Sequence, residues 1–388
     1  MGKDILHYNI DNLDKLGANI NWILGERSNG KSYQVKHKKG INPWLFGGVN
    51  YHASYKDKTK VFEEIIKSQT RRFILMRRLK EEIKTSIIIQ YFKDIDVIAL
   101  TDGKYNYIDV YRQKVYLSNY NFETNKTVHG EMIGYIVALN TEQNYAGSSY
   151  LDVTDIIFEE IISRSVYLAQ EPSKLMNFFC TVDRKRGTTR LWLCGNTISR
   201  VCPYFNEWGL DEMLRETKQG EIRSKWIKTG EVDDEGKEVE VLLALEYCKS
   251  TGSSSFVIGN HKEMLNTGSW QTDPQPHLPK SLNSYKKIFK IGFQYKSFKF
   301  LCEYLLDRET KDTCWFIYPY NRKFNNKTLI FSDIIKTSKY WQRDIYNPLI
   351  KNDSIKRLLQ TFKESNIFYA TDLCGTDFKQ VIDFIIKK

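Results

Sequence analysis

Apolar residues along this chain come in compact runs bounded by charged or small residues, the pattern of buried strands alternating with helices. After a polar lead-in, where Tyr8 and Leu13 are the anchors of a short helix, Asn21-Trp22-Ile23-Leu24 reads as a buried strand. Ser32 to His37 carries no breaker and opens a helix behind it. Phe73-Ile74-Leu75-Met76, held between Arg71-Arg72 and Arg77-Arg78, is a second buried strand with basic ends. Ile83, Ile87 and Tyr91 fall at helical spacing within Glu81 to Tyr91. Val97 to Leu100 then reads as a strand, and Tyr105 to Tyr111 with Lys114 to Leu117 as a hairpin. Met132 to Leu139, Val153 to Glu160 and Thr189 to Asn196 are further strands, with a helix from Glu171 to Val182.

Residues 206–283 change character. Lys218 to Lys237 is highly charged and contains the turn signal Asp233-Asp234-Glu235-Gly236, and Asp273 to Pro279 is the richest proline cluster in the chain. Apart from a strand over Val239 to Tyr247, this stretch predicts a linker with modest structure of its own. Strand-like runs return at Phe289 to Phe293, Thr313 to Ile317, Leu329 to Phe331 and Ile367 to Tyr369. Helices are expected at Phe298 to Leu306, Asp353 to Ser365 and Asp377 to Ile386. The alternation predicts an α/β chain in three parts: an N-terminal domain over 1–205, a linker region over 206–283 and a small C-terminal α/β domain over 284–388.

A chain of 388 residues has core enough for two or three domains. Its 58 basic against 47 acidic side chains, net +11, favour a polyanionic partner, nucleic acid first. The 14% aromatic content argues for ordered domains. Seven cysteines lie scattered with no C-x-x-C pair, which points to reduced thiols in a cytoplasm and to neither a disulfide framework nor a zinc site. No apolar run approaches the ~20 residues a membrane helix needs, and Met1-Gly2-Lys3-Asp4 lacks the apolar core of a signal peptide. A membrane is therefore not among the expected partners.

The candidate chemistry starts at Gly25-Glu26-Arg27-Ser28-Asn29-Gly30-Lys31-Ser32, which fits the phosphate-binding pattern G-x-x-x-x-G-K-[ST] without mismatch. Its place between a strand and a helix is the context that pattern requires. Gly25 and Gly30 let consecutive N–H groups turn inward toward an anion, and the helix N-terminus adds partial positive charge. Lys31 would reach the β- and γ-phosphates of ATP, and Ser32 would hold Mg2+. Downstream, Val153-Thr154-Asp155-Ile156-Ile157-Phe158-Glu159-Glu160 is a strand ending in two carboxylates, the shape of a Walker B element. Glu159 would support the magnesium ion and Glu160 would act as general base toward the attacking water. Asp155 is an alternative metal carboxylate three residues before the strand end. Asp183-Arg184-Lys185-Arg186 follows a helix and can present an arginine finger to a neighbouring subunit, with Arg184 first and Arg186 as the alternative. Asn196 tips a buried strand, where an amide can sense the γ-phosphate or orient the water.

In this ordered set the chain resembles the DNA-packaging (encapsidation) ATPases of phi-29-type small tailed bacteriophages. The family's phosphate loop resembles Gly25 to Ser32, followed here by the similar Tyr33. Its strand ending in paired arginines resembles Ile74 to Arg78, with Lys80 following. Its Walker B strand resembles Ile156 to Glu160, except that Glu159 stands where the family pattern has Asp. Its arginine-finger segment resembles Thr181 to Arg184, and its Asn-tipped strand with the following Pro-Tyr-Phe resembles Asn196 and Pro203-Tyr204-Phe205. The resemblance implies a P-loop NTPase domain of the additional-strand catalytic-glutamate type and a C-terminal ribonuclease-H-like domain that has lost nuclease activity. It implies a homopentameric ring at the capsid portal, in the host cytoplasm, that drives double-stranded DNA inward with ATP and uses a small packaging RNA. Gly25 to Tyr33 would then bind ATP, and Arg77, Arg78 and Lys80 become candidate nucleotide or DNA contacts. Two other classes fit parts of the sequence: a small-molecule P-loop kinase, and a basic nucleic-acid-binding scaffold whose nucleotide is structural.

Overall fold

The computed structural model describes residues 8–26, 29–35, 71–145, 147–163, 167–232, 236–250, 269–325, 328–333, 340–342 and 352–386. These fall into two compact units. One holds the described residues of 8–198 and 212–250, the other those of 199–211 and 270–386.

The first unit is built on a nine-stranded sheet of order β3-β4-β5-β2-β6-β7-β1-β9-β8. Its middle is parallel: β2 (Arg72–Arg77), β6 (Val153–Glu159), β7 (Arg190–Asn196), β1 (Ile20–Gly25) and β9 (Glu238–Tyr247). Every residue of β1 and β6 is buried. Strands covered on both faces read as unbroken apolar runs without alternation, which is why these were legible. On one flank β3 (Tyr107–Tyr111), β4 (Lys114–Asn121) and β5 (Lys126–Ala138) add an antiparallel meander, and β5 joins β2 in parallel. Helices α1 (Asp11–Lys15), α2 (Lys31–Val35), α3 (Thr85–Phe92), α4 (Val97–Leu100) and α5 (Glu171–Asp183) connect the strands. Tyr8 and Leu13 are both buried in the main cluster, with Ile23, Leu75, Ile157 and Trp192.

Two stretches of this unit depart from the sequence expectation. Val97 to Leu100 is one helical turn, not a strand. Asp96 caps it by accepting from the Ala99 N–H at 3.0 Å, and of the run only Val97 is buried. The charged stretch assigned to a linker contains β8 (Glu221–Val232), which pairs antiparallel with β9, and β9 pairs in parallel with β1. Residues 221–232 and 238–247 are therefore part of the sheet. β8 is an edge strand, and Lys and Glu along an edge block further pairing, so its charge reads as linker in the sequence. Residues 251–268 of the expected linker lie outside the described residues.

The second unit opens with α6 (Pro203–Glu207); α7 (Asp211–Glu216) begins where the chain returns to the first. Its six-stranded sheet has the order β14-β13-β10-β11-β12-β15. β10 (Tyr285–Tyr295), β11 (Phe298–Asp307) and β12 (Thr313–Pro319) form an antiparallel meander. β13 (Leu329–Ser332) runs parallel to β10, β14 (Trp341–Gln342) parallel to β13, and β15 (Ile367–Tyr369) parallel to β12. Phe298 to Leu306 is thus a strand, not the expected helix. Lys296, at a φ of 52°, turns the chain back on β10, so that Phe300 pairs with Phe293. Apolar side chains on both faces of β11 hide its period of two. Phe293, Trp315, Phe362 and Phe378 form the aromatic centre of this core, under α8 (Asp353–Glu364) and α9 (Asp372–Ile386).

Candidate active site

Parallel strands end together, and here three of those ends carry the predicted groups. Gly25 at the tip of β1 pairs in register with Asn196 at the tip of β7, and Glu159 at the tip of β6 pairs with Cys194. The loop after β1 turns into α2 through Gly30, whose φ of 89° an L side chain rarely adopts. Gly25 is required for space: a Cβ there would lie 2.8 Å from Asn29 Nδ2 and 3.0 Å from Cys248 Cβ. Asn29 Oδ1 accepts from the Lys31 N–H at 3.1 Å and so shapes the turn from within. Glu26 is buried, with its carboxylate accepting from Ser250 Oγ at 2.8 Å. Tyr33 lies on the exposed side of α2. Arg27 and Ser28 lie outside the described residues.

Lys31 is buried at the start of α2. Its ammonium donates to the Glu26 carbonyl at 2.6 Å, to Asn196 Oδ1 at 2.7 Å and to the Gly25 carbonyl at 3.5 Å. Burial lowers its pKa. Ser32 Oγ donates to Glu159 Oε2 at 2.8 Å. Glu159 is only 4% exposed, and burial pushes its carboxyl above the ordinary range, opposed by the Ser32 and Tyr91 hydroxyls and by Lys31. A hydroxyl and a carboxylate side by side are hard oxygen donors suited to Mg2+, which binds through one or two carboxylates together with substrate phosphates. Among the described residues no cluster of three or more His, Cys, Asp or Glu could hold a metal alone.

Glu160 differs from its neighbour in every respect. It stands at the end of β6 with a φ of 57°, and its carboxylate is exposed to solvent. Glutamate in the left-handed region is held there by its surroundings, and such residues cluster at functional sites. Two arginines supply the hold. Arg77 donates to Glu160 Oε2 at 3.1 Å. Arg78 donates to the main-chain carbonyls of Glu160 at 3.2 Å and Ile161 at 2.6 Å. Arg78 is itself buried and gripped by both oxygens of Glu171, at 2.9 and 3.1 Å, with its guanidinium over the rings of Phe158 and Tyr167. A guanidinium so placed has no face left for DNA or nucleotide, so the expected contact by Arg78 is corrected to a strut under the Glu160 turn. Lys80, at the start of a single 3₁₀ turn, is exposed.

Two alternatives are also decided by burial. Asp155 sits inside the sheet, accepting from Arg71, Thr154 Oγ1 and Trp192 Nε1, and is no metal carboxylate at the strand tip. Arg186 is buried, with its guanidinium on the carbonyls of Asp183, Tyr150, Leu151, Val153 and Val182, which removes it as a finger. Arg184 instead is exposed at the C-cap of α5, donating to the Ser148 carbonyl at 2.8 Å. Ser148 lies before β6 begins, so Arg184 is near the opposite end of that strand from Glu160, roughly 20 Å away at strand rise. In the second unit Asp307 pairs with Lys280 at 2.9 Å, and Asp372 with His277 at 3.0 Å.

Sequence reasoning missed Glu171 and Tyr91. Tyr91, on α3, donates its hydroxyl to Glu159 Oε1 at 2.9 Å. Both lie on helices and looked like ordinary helix residues. The one signal available for Tyr91 was a phenol on an apolar helix face, where a polar tip needs a buried partner.

Residues 38–215 match the family model described as podovirus DNA encapsidation protein (Gp16). The DNA packaging protein of Bacillus phage phi29 is 26% identical over 208 residues, covering 52% of this chain and 49% of its own length. That of Bacillus phage B103 is 28% identical over 197 residues, covering 49% of this chain and 48% of its own. The chain thus spans about half the length of the curated relatives it matches. A chain of the solved bacteriophage phi-29 viral genome packaging motor assembly aligns over 98% of this chain and 99% of its own, with a TM-score of 0.54 at 19% identity, which is a shared fold. Over the stretch that carries Arg77, Glu159, Glu160, Arg184 and Asn196, the chain is similar to the podovirus DNA encapsidation proteins.

Proposed function

We propose that this protein is a genome-packaging ATPase that moves double-stranded DNA into a preformed capsid. The observation that carries it is the convergence of Lys31, Ser32, Glu159, Glu160 and Asn196 at one end of a parallel sheet. The position of β7 between the Gly25 strand and the Glu159 strand supports the additional-strand catalytic-glutamate class of P-loop ATPase. In the second unit, a three-stranded antiparallel meander continued by parallel strands on the β10 side supports the ribonuclease-H-like reading. The ATPase domain, on this reading, runs past residue 205 to include β8 and β9.

Each group has a task. Lys31 and the loop N–H groups hold the β- and γ-phosphates. Ser32 and Glu159 hold Mg2+, which when bound offsets charge on those phosphates. Glu160, exposed and fixed in backbone, takes the proton of the attacking water. Asn196 shares the Lys31 ammonium, so a phosphate that draws Lys31 away is felt at the tip of β7. Arg184 stands too far from Glu160 of its own chain to act there. It would serve the site of a neighbour in a ring, where loss of such a finger costs roughly 10³–10⁵ in rate. The DNA must be gripped through phosphates, because a packaging motor accepts any sequence. The portal, a ring of five and a packaging RNA are the further partners this reading expects.

The test is the steady-state ATPase rate titrated with duplex DNA, with Arg184→Ala protein mixed in at rising fractions. Expected are stimulation by DNA and a rate that falls faster than the wild-type fraction. A rate indifferent to DNA and strictly proportional to that fraction overturns the motor reading.

A further inference from the structure

Glu159 is the buried carboxylate of the candidate site, and both of its oxygens are held. The Glu159 carboxylate receives two hydroxyls, one on each oxygen: Ser32 Oγ on Oε2 at 2.8 Å and the Tyr91 phenol on Oε1 at 2.9 Å. Tyr91 is carried by α3, whose Ile88 and Phe92 are buried in the core, and its ring packs edge-on against Phe92 at 5.0 Å and 80°. Phe92 in turn packs on Phe73 of β2 at 6.0 Å. The phenol therefore stands on a fixed platform. By sequence, Tyr91 shares a helical face with Ile83 and Ile87, yet Ile87 is largely exposed, so that face is not simply core.

We infer that Tyr91 is a positioning residue for the proposed magnesium site: its phenol holds Oε1 of Glu159 so that Oε2 stays on Ser32. Glutamate has one more rotatable bond than aspartate, and an unheld carboxylate would divide its time among rotamers, at a cost in ordering when metal binds. A hydrogen bond from a phenol to a carboxylate is of the charge-assisted kind, strong enough to select one of them. Glu159 and Tyr91 would then form a pair. With aspartate at 159 the carboxylate would be drawn back by about 1.5 Å, one C–C bond, beyond hydrogen-bond reach of the phenol. The inference rests on the nucleotide-site reading above.

The test uses the full chain and the fluorescent nucleotide mant-ATP, with binding measured across a Mg2+ titration and in EDTA. Tyr91→Phe is expected to raise the Mg2+ concentration for half-maximal tightening about tenfold, the loss of one hydrogen bond to a charged group. Affinity in EDTA should not change. In a Glu159→Asp background the same Tyr91→Phe change should have no effect. An unchanged Mg2+ requirement overturns the inference. So does an equal loss in the Glu159→Asp background, or an equal loss in EDTA, either of which makes Tyr91 a packing residue. If the wild-type protein binds mant-ATP with no dependence on Mg2+, the metal assignment of Ser32 and Glu159 falls first and takes the inference with it.

Discussion

Arg77 and Arg78 are neighbours on one strand and end in different chemistry. Arg77 turns outward to the Glu160 carboxylate, while Arg78 turns inward to Glu171, whose side chain is fully buried. Breaking a buried pair leaves the remaining charge uncompensated, so Arg78→Ala should destabilise the fold by about 3–5 kcal/mol in urea unfolding. It should also depress ATPase activity in the protein that remains folded, because Arg78 holds the carbonyls of Glu160 and Ile161. Lys31, Ser32, Glu159 and Asn196 were legible because each lies at a strand tip or the loop beside it, and parallel strands bring such positions together. Arg78 with Glu171, and Tyr91 with Glu159, were not. Their partners lie 93 and 68 residues apart, and nothing in a single sequence announces which buried helix residue will face a strand end.

At the scale of elements, the all-buried strands were readable and the exposed edge was not. β8 carries the charge of a linker but does the work of an edge strand, and β9 completes the pairing of the strand that leads into the Gly25 loop. Leu243 of β9 is wholly buried and stands opposite Ile20. Leu243→Ala should therefore cost about 2–5 kcal/mol, as for any large-to-small core substitution, measured by chemical denaturation. A change of that kind in a true linker would fall within about 0.5 kcal/mol. The error at Phe298 to Leu306 has a related origin: with aromatic and aliphatic residues on both faces, period two disappears, and only the turn at Lys296 could have signalled a hairpin.

At the scale of the whole molecule, charge is unevenly placed. Residues 284–388 hold 20 basic and 11 acidic side chains, against 38 and 36 in the 283 residues before them. Attraction to a polyanion should therefore reside with the second unit. Counterion release makes the expected outcome specific: between 50 and 200 mM salt the DNA-dependent part of the ATPase rate should fall steeply, while the DNA-independent part should hardly move. The order of assembly follows from the sheet. β1 cannot acquire its neighbour β9 until residues 238–247 exist, yet residues 199–211, already committed to the other unit, are made first. The pairing spans 223 residues. At the usual 5–20 residues per second, the strand that leads into the nucleotide loop waits roughly 11 to 45 s on the ribosome with one edge open. During that interval it is a template for any passing strand. Synthesis speed and chaperone supply, more than final stability, should then set how much functional protein a cell obtains.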